Sequence, residues 1–470
     1  MLITGNCQLS TVNFSEPADT IAAISTPLGE AGIGIVRLSD PRAEAIARSL
    51  FRPRNPDCPW HSHHLYLGRL IAPDGRVIDE VLLTIMRGPH TYTREDVVEI
   101  NCHSGYGVLR RILELALSKG ARLARPGEFT LRAFLSGRLD LTQAEAVLDV
   151  IQARTAASLQ VAAAHLEGGL GRHLREIREA LLDSLARVEA ALDFPEEAEE
   201  LSPGAMAPAI TEQALGLQGL LGTYQQGRLL REGLLVVIAG RPNVGKSSLL
   251  NRLLNLERAI VSEIPGTTRD FIEESITLSG VPVRLMDTAG LRAARDRVEE
   301  MGVERTRERL AQANIILYLV DGSQPLEDAD CLGLAELTGR PALAVINKID
   351  LPLKLSPAQL EEAASLPVAQ ISALTGAGIE DLKSRIQELA LGGGVRTEGE
   401  ILTRARHYHH LQHCCHCLDQ ALALLEQTPV LWELTALELQ EAIRELGEIT
   451  GEEVGDAVLD RIFGEFCIGK

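Results

Sequence analysis

The chain has 470 residues, enough for about three domains of ordinary size. Lys+Arg total 46 and Asp+Glu 65, a formal net charge of −19, which excludes a protein that coats nucleic acid by bulk electrostatics. Any RNA contact needs a local basic patch or a partner that holds the RNA. A hydrophobic content of 45% with 24% charged residues suits a folded globular chain, and no apolar run approaches the ~18 residues of a membrane span. The N-terminus lacks the basic-then-apolar pattern of a secretory signal. The eight cysteines are scattered except Cys414, Cys415 and Cys417, so the expected setting is a reducing cytoplasm.

Residues 1–18 read as a loose extension. From Thr20 to about Leu135, short β-type runs (Ile21–Ile24, Ile33–Leu38, His64–Ile71, Glu80–Met86, Asp96–Asn101) alternate with Pro and Gly around one amphipathic helix, Gly107–Ser118. This pattern predicts an α+β domain. Leu141, Ala144, Val147, Leu148 and Ile151, then Leu174, Ile177, Leu181, Leu185 and Val188, recur at helical spacing until Asp193–Glu197 stops the helix. A second helical stretch runs from about Ala209 to Arg231.

Strands and helices then alternate, with strands expected at Leu235–Ala239, Val283–Asp287, Ile315–Asp321, Ala342–Asn347 and Val368–Ser372, the signature of a parallel sheet. Gly392–Gly394 reads as a hinge, followed by helices over Leu402–Gln427 and Thr435–Leu446 and a tail, Phe466–Lys470. The expected architecture is multidomain α/β plus α. An α+β domain covers 1–135, and a helical domain in two parts covers 136–232 and 392–470. The latter is interrupted by an inserted α/β domain at 233–391.

Gly240-Arg-Pro-Asn-Val-Gly-Lys-Ser247 follows an apolar strand and opens a helix, as the phosphate loop GxxxxGK[ST] requires. Asn243, Val244, Gly245 and Ser248 flank the working groups: Lys246 is suited to the β/γ-phosphates and Ser247 to Mg²⁺. Asp287, Thr288, Ala289 and Gly290 end a later strand, with Asp287 facing Mg²⁺ through water and the Gly290 amide placed to sense the γ-phosphate. Asn347, Lys348 and Asp350 supply a carboxylate for the two N–H donors of guanine, which adenine lacks, and Ser372, Ala373 and Leu374 would support the base. Gly266, Thr267 and Thr268 lie between the first two motifs, with Thr268 expected to close on Mg²⁺. Four motifs in order and spacing predict a Ras-like P-loop GTPase domain. Leu291 stands where Ras-type enzymes place a water-orienting Gln, so the catalytic group must come from elsewhere.

These residues, with Arg125–Phe129, Leu139–Ala146, Asp193–Glu197 and the Phe466–Lys470 tail, resemble the MnmE/TrmE family of tRNA-modification GTPases over nearly the whole chain. The resemblance implies a cytoplasmic homodimer with an N-terminal folate-binding domain. It implies K⁺ held by Asn243, Ser262, Ile264 and Thr267, with Glu263 and Pro265 in the same GTP-contacting loop, and Glu299 as the catalytic carboxylate. It implies a folate site at Arg37, Glu99, Arg138 and Lys470 for a methylene- or formyl-tetrahydrofolate, and a tail thiol, Cys467, directed at the modification site. Together with an FAD-dependent partner of the MnmG/GidA kind, in a heterotetramer, such a protein installs a carboxymethylaminomethyl or aminomethyl group at C5 of the wobble uridine of certain tRNAs.

Read without the resemblance, Glu299 is a solvated charge and Arg37 a surface ion pair. The cluster Arg122, Arg125, Arg132 and Arg138 is either an anion-facing patch or a solvated helix face. His410, Cys414 and Cys417 fall on one helical face beside His409, His413 and His416, a stripe read as packing and surface residues rather than a metal site. The competing readings are a ribosome-assembly GTPase of the Era/Der kind and a folate-binding scaffold with a GTP switch.

Overall fold

The computed structural model describes residues 19–193, 203–257, 274–287, 312–392 and 399–470. The chain divides into two compact units, Met1–Leu148 with His165–Leu182 and Ile443–Lys470, and Asp149–Ala164 with Asp183–Ala442.

The first unit is built on a seven-stranded sheet: β1 (Ile21–Ile24), β2 (Ala31–Ser39), β3 (Phe51–Pro53), β4 (His64–Ile71), β5 (Val77–Met86), β6 (Val97–Ser104) and β7 (Arg122–Leu123). Their order is β3-β4-β5-β6-β2-β1-β7, antiparallel except for the parallel pair β1/β7. Alternating burial along β2 and β6 puts Val36, Leu38, Val98 and Ile100 on one face. There they meet Ile46 and Leu50 of the helix Ala43–Leu50 and Leu109 and Ile112 of the helix Tyr106–Ser118. A third helix, Glu128–Leu135, joins Asp456–Gly464 and the tail through Phe463 and Phe466.

The second unit holds a six-stranded sheet of β8 (Leu234–Gly240), β9 (Glu274–Leu278), β10 (Val281–Asp287), β11 (Ile315–Asp321), β12 (Ala342–Asn347) and β13 (Val368–Gln370). The order is β13-β12-β11-β8-β10-β9, parallel except at β9, which turns back against β10. Helices cover both faces, so the central strands read as continuous apolar runs, as in Leu234–Ala239. Lys246–Glu257 and Ile379–Leu391 pack with Val236 and Ile238, while Asp328–Ala335 and Pro357–Ala364 pack with Ile316 and Ala344.

Helical periodicity between Leu139 and Leu192 resolves into three helices, Leu141–Gln152, Ala156–Leu166 and Gly169–Asp193. Gly168, at φ +82, makes the second break. Thr155 makes the first, its Oγ1 accepting the Ser158 N–H at 3.1 Å as a cap. The stretch expected at Ala209–Arg231 forms Pro203–Leu221 and Tyr224–Glu232. In Ala405–Leu425, Cys414, Cys415, Cys417 and His407 are buried and pack as small or planar core groups, and burial pushes the Cys415 thiol up to about 11.

Candidate functional sites

The buried strand β8 delivers the chain to Gly240, and the helix Lys246–Glu257 begins six residues later. Between them Asn243 (φ +63) and Gly245 (φ +100) turn the loop so that its backbone wraps inward. A side chain at Gly245 would collide with the amide of Asn347, so the phosphate loop and the base-recognition loop are in direct contact. Lys246 is buried and donates from Nζ to the carbonyls of Gly240 at 2.8 Å and Arg241 at 2.6 Å. The Ser247 hydroxyl donates to Asp287 Oδ2 at 2.8 Å. A hydroxyl oxygen and a carboxylate converging in this way are the hard ligands Mg²⁺ takes.

Asn347, 2% exposed, donates from Nδ2 to Val244 O at 2.8 Å and accepts the Ala373 N–H on Oδ1 at 3.0 Å. Lys348, at φ +66, donates to Asn243 O at 2.9 Å and to Asp321 Oδ2 at 2.6 Å. The Ser372 hydroxyl donates to Asp350 Oδ1 at 2.5 Å, and Arg252 supports the same loop by donating to Ala373 O at 3.0 Å and to Leu374 O. Leu374 itself is 75% exposed. The structure therefore brings together Asn243, Val244, Gly245, Lys246, Ser247, Asp287, Asn347, Lys348, Asp350, Ser372, Ala373 and Leu374. Ser248 occupies the first turn of the loop's helix. Ser262, Glu263, Ile264, Pro265, Gly266, Thr267, Thr268, Thr288, Ala289, Gly290, Leu291 and Glu299 lie outside the described residues.

The motifs did not point to two supports of this site. Asp321 ends β11 and anchors Lys348; burial raises its pKa, but the hydrogen bonds from Lys348 and Ser323 outweigh that and hold it below the usual carboxylate range. Arg241 pairs with Glu327 at 2.7 Å and Asp330 at 3.1 Å, fastening the first turn of the phosphate loop. The only signal for Asp321 is an acidic residue closing a buried parallel strand.

A second polar cluster lies in the first unit. Arg37 on β2 and Glu99 on β6 are register partners, and Arg37 donates from Nε to Glu99 Oε1 at 2.9 Å, with Nη2 at 2.8 Å from the same oxygen. Arg37 Nη1 also donates to Gly469 O at 3.3 Å. Its guanidinium lies 5.6 Å from the Phe129 ring and 5.9 Å from Tyr92, while that of Arg138 lies 4.8 Å from Tyr92 and donates to Tyr92 O at 3.1 Å. The tail enters by a bridge between Pro126 and Ile468, and the Phe129 N–H donates to Lys470 O at 3.1 Å. Burial, with Arg37 adding repulsion, lowers the Lys470 pKa. Cys467 is exposed beside this cluster. Three cations, a carboxylate and the part-exposed Tyr92 ring thus lie in one polar cluster, with Phe129 buried beneath Arg37.

Two of the four clustered arginines, Arg122 and Arg132, form neither an anion-facing patch nor a solvated helix face, while Arg125 and Arg138 are exposed. Arg132, 14% exposed, is surrounded by Asp19, Glu128, Asp40 and Glu95, and Arg122 pairs with Asp19 and Glu128 at 2.6 Å each. The nearby Glu128 and the sequence-distant Asp19 face both, and Asp40 and Glu95 add to Arg132.

A phosphate loop on a parallel sheet, tied to a guanine-type carboxylate loop, defines a P-loop GTP hydrolase. Residues 141–467 match the family description "MnmE helical domain" and residues 20–138 match "GTP-binding protein TrmE N-terminus". The tRNA modification GTPase MnmE of Chloroflexus aurantiacus is 49% identical over 454 residues, covering 96% of this chain and 100% of that protein. That of Moorella thermoacetica is 48% identical over 461 residues, covering 96% and 99%. Among solved structures, the G domain of the T. maritima FeoB iron transporter is 28% identical and covers 33% of this chain and 98% of that one, with a TM-score of 0.26. The chain belongs to the MnmE/TrmE family of tRNA modification GTPases. Among the described residues no helix is long and apolar enough to cross a membrane.

Proposed function

We propose that this chain is a potassium-activated GTP hydrolase of the cytoplasm. With an FAD-dependent partner of the MnmG/GidA kind, it installs a carboxymethylaminomethyl or aminomethyl group at C5 of wobble uridine in certain tRNAs. The observation that carries the reading is the second site: Arg37, Glu99 and Lys470 converge far in sequence from every GTP motif, which supports a ligand chemistry beyond the nucleotide. Such a site fits a methylene- or formyl-tetrahydrofolate, with Glu99 and Arg37 on the pterin edge, Tyr92 against its ring, and Arg138 and Lys470 available to anionic groups. The folate, when bound, supplies a one-carbon unit.

In the GTPase site, Lys246 is read as the cation for the β/γ-phosphates, exchanging its carbonyl partners for phosphate oxygens. Ser247 and Thr268 are assigned to Mg²⁺, and Asn243, Ser262, Ile264 and Thr267 to K⁺; the two cations, when bound, offset the charge that builds up on the transferred phosphoryl group. Glu299 is read as the group that orients water, replacing the amide that Leu291 cannot provide. Asp350 accepts the guanine N–H donors, positioned by Ser372. Cys467 is assigned to the modification site.

The domain reading is folate binding at 1–135, a helical domain at 136–232 and 392–470, and GTP hydrolysis at 233–391. An exposed strip of Leu65 and Leu67 on β4 and Leu82 on β5, with Leu67 and Leu82 direct register partners, supports a homodimer. Steady-state GTP hydrolysis in K⁺ against Na⁺, with calorimetric titration of formyl-tetrahydrofolate, tests both halves of the reading. The expected results are a rate at least tenfold higher in K⁺ and a folate affinity that Arg37→Ala abolishes. Equal rates in the two salts, or no folate binding by the unaltered chain, overturn it.

A further inference from the structure

Residues 149–164 belong to the second unit, yet Leu148 before them and His165 after them belong to the first. The segment is thus covalently tied at both ends to the unit that holds Arg37, Glu99 and Lys470. Part of it packs on the GTPase sheet. Val161, 4% exposed, sits in the same core as Val236, Ile276, Leu278 and Val283, with Ala157 packed against it. Arg154 donates to the Ser275 hydroxyl at 2.9 Å. A Cβ on Gly280 would lie 3.2 Å from that of Ala157, and the φ of +87 at Gly280 makes the turn there a glycine position.

Ser275, Ile276, Leu278 and Gly280 lie on the β9–β10 hairpin. In sequence this hairpin joins the segment carrying Thr268 to Asp287–Gly290, the two stretches expected to sense the γ-phosphate. Among the described residues β9 pairs only with β10 and is the edge strand, and β10 runs from that edge to Asp287, which touches Ser247. The segment is also anchored where the chain enters and leaves the sheet. Asp149 Oδ1 accepts from Arg231 at 3.1 Å, just before β8, and from Arg404 at 2.7 Å, after the last helix of the GTPase sheet. The Ser158 hydroxyl donates to Leu230 O at 2.6 Å.

We propose that residues 149–164 are the transmission element of the GTPase cycle: they bear on the β9–β10 hairpin and carry its change of position into the unit with the Arg37–Glu99–Lys470 site. This rests on the proposed GTP hydrolase activity, and adds that the nucleotide state changes the conformation of the hairpin. A nucleotide shifts such an equilibrium only through contacts that differ between states, and the hairpin's packing on Ala157 and Val161 is the contact proposed to differ.

Hydrogen exchange on the full-length chain, loaded with GDP or with a non-hydrolysable GTP analogue plus Mg²⁺ and K⁺, tests the proposal. Exchange over 149–164 is expected to differ at least fivefold between the two forms. Ala157→Leu, and Arg154→Ala should the first variant not fold, are expected to cut that difference at least threefold. Both should leave kcat and KM for GTP within twofold, while modified wobble uridine in cells falls at least tenfold. Exchange that changes in 274–287 but not in 149–164 overturns the proposal and leaves the cycle standing. So does full tRNA modification by a variant that has lost the difference. No change in 274–287 with nucleotide bound overturns the conformational cycle itself and the proposal with it.

Discussion

Asn347 donates its side-chain amide to the carbonyl of Val244 at 2.8 Å, locking the base-recognition loop to the phosphate loop from a position 2% exposed. Guanine selection and phosphate binding therefore share one buried hydrogen bond. Asn347→Ala leaves the Val244 carbonyl and the Ala373 N–H without this partner, at about 1–3 kcal/mol for each buried group. The expected outcome is a lower unfolding midpoint and at least tenfold weaker binding of a fluorescent GTP analogue, read by thermal denaturation and titration.

In the proposed site Asp350, which accepts from the Ser372 hydroxyl, takes the two N–H donors of guanine. Asp350→Asn turns one acceptor into a donor, which suits the C2 carbonyl of xanthine. KM for GTP is expected to rise at least tenfold while KM for XTP falls, with kcat for the preferred base retained. Loss of activity toward both nucleotides would instead make the Ser372–Asp350 bond purely structural.

The nucleotide site and the acid-ringed Arg132 cluster differ in how far the sequence disclosed them. The strand–loop–helix of Leu234–Glu257 and the Asn347–Asp350 motif are local patterns, with residue types fixed by phosphate and base chemistry, and they stood out at once. Arg132 did not, because its meaning depends on Asp19, 113 positions away, and on Asp40 and Glu95. Burial of a charge is a tertiary fact that no window of sequence displays. The breaks in the helical stretch were half visible: Gly168 marks one, whereas the Thr155 cap looked like any threonine in a helix-compatible run.

Asp40 carries a pH signature. Burial and the neighbouring Glu95 raise its carboxyl to about 6 against an ordinary 3.8, even with Arg132 alongside. Between about pH 4 and 6 the folded state then holds a proton that the unfolded state has lost, so this group's contribution to stability falls as pH rises through that window and is flat above it. Asp40→Asn removes that slope. The variant should be more stable than the unaltered chain at pH 8 and gain nothing at pH 4, as measured by urea denaturation at both values.

Arg37 and Glu99 are 16% and 23% exposed, so removing one partner strands the other in a partly buried site. Arg37→Ala should lower the unfolding midpoint and abolish folate binding. Arg37→Lys keeps the charge without the two-nitrogen contact to Glu99, and should restore stability more than it restores binding.

The most direct measurement is nucleoside mass spectrometry of tRNA from cells lacking this gene, rescued with the unaltered chain, Glu299→Ala or Cys467→Ser. The account predicts that C5-substituted wobble uridines disappear on deletion, return with the unaltered chain, and remain at least tenfold reduced with Glu299→Ala. Wobble uridines unchanged by deletion would contradict it.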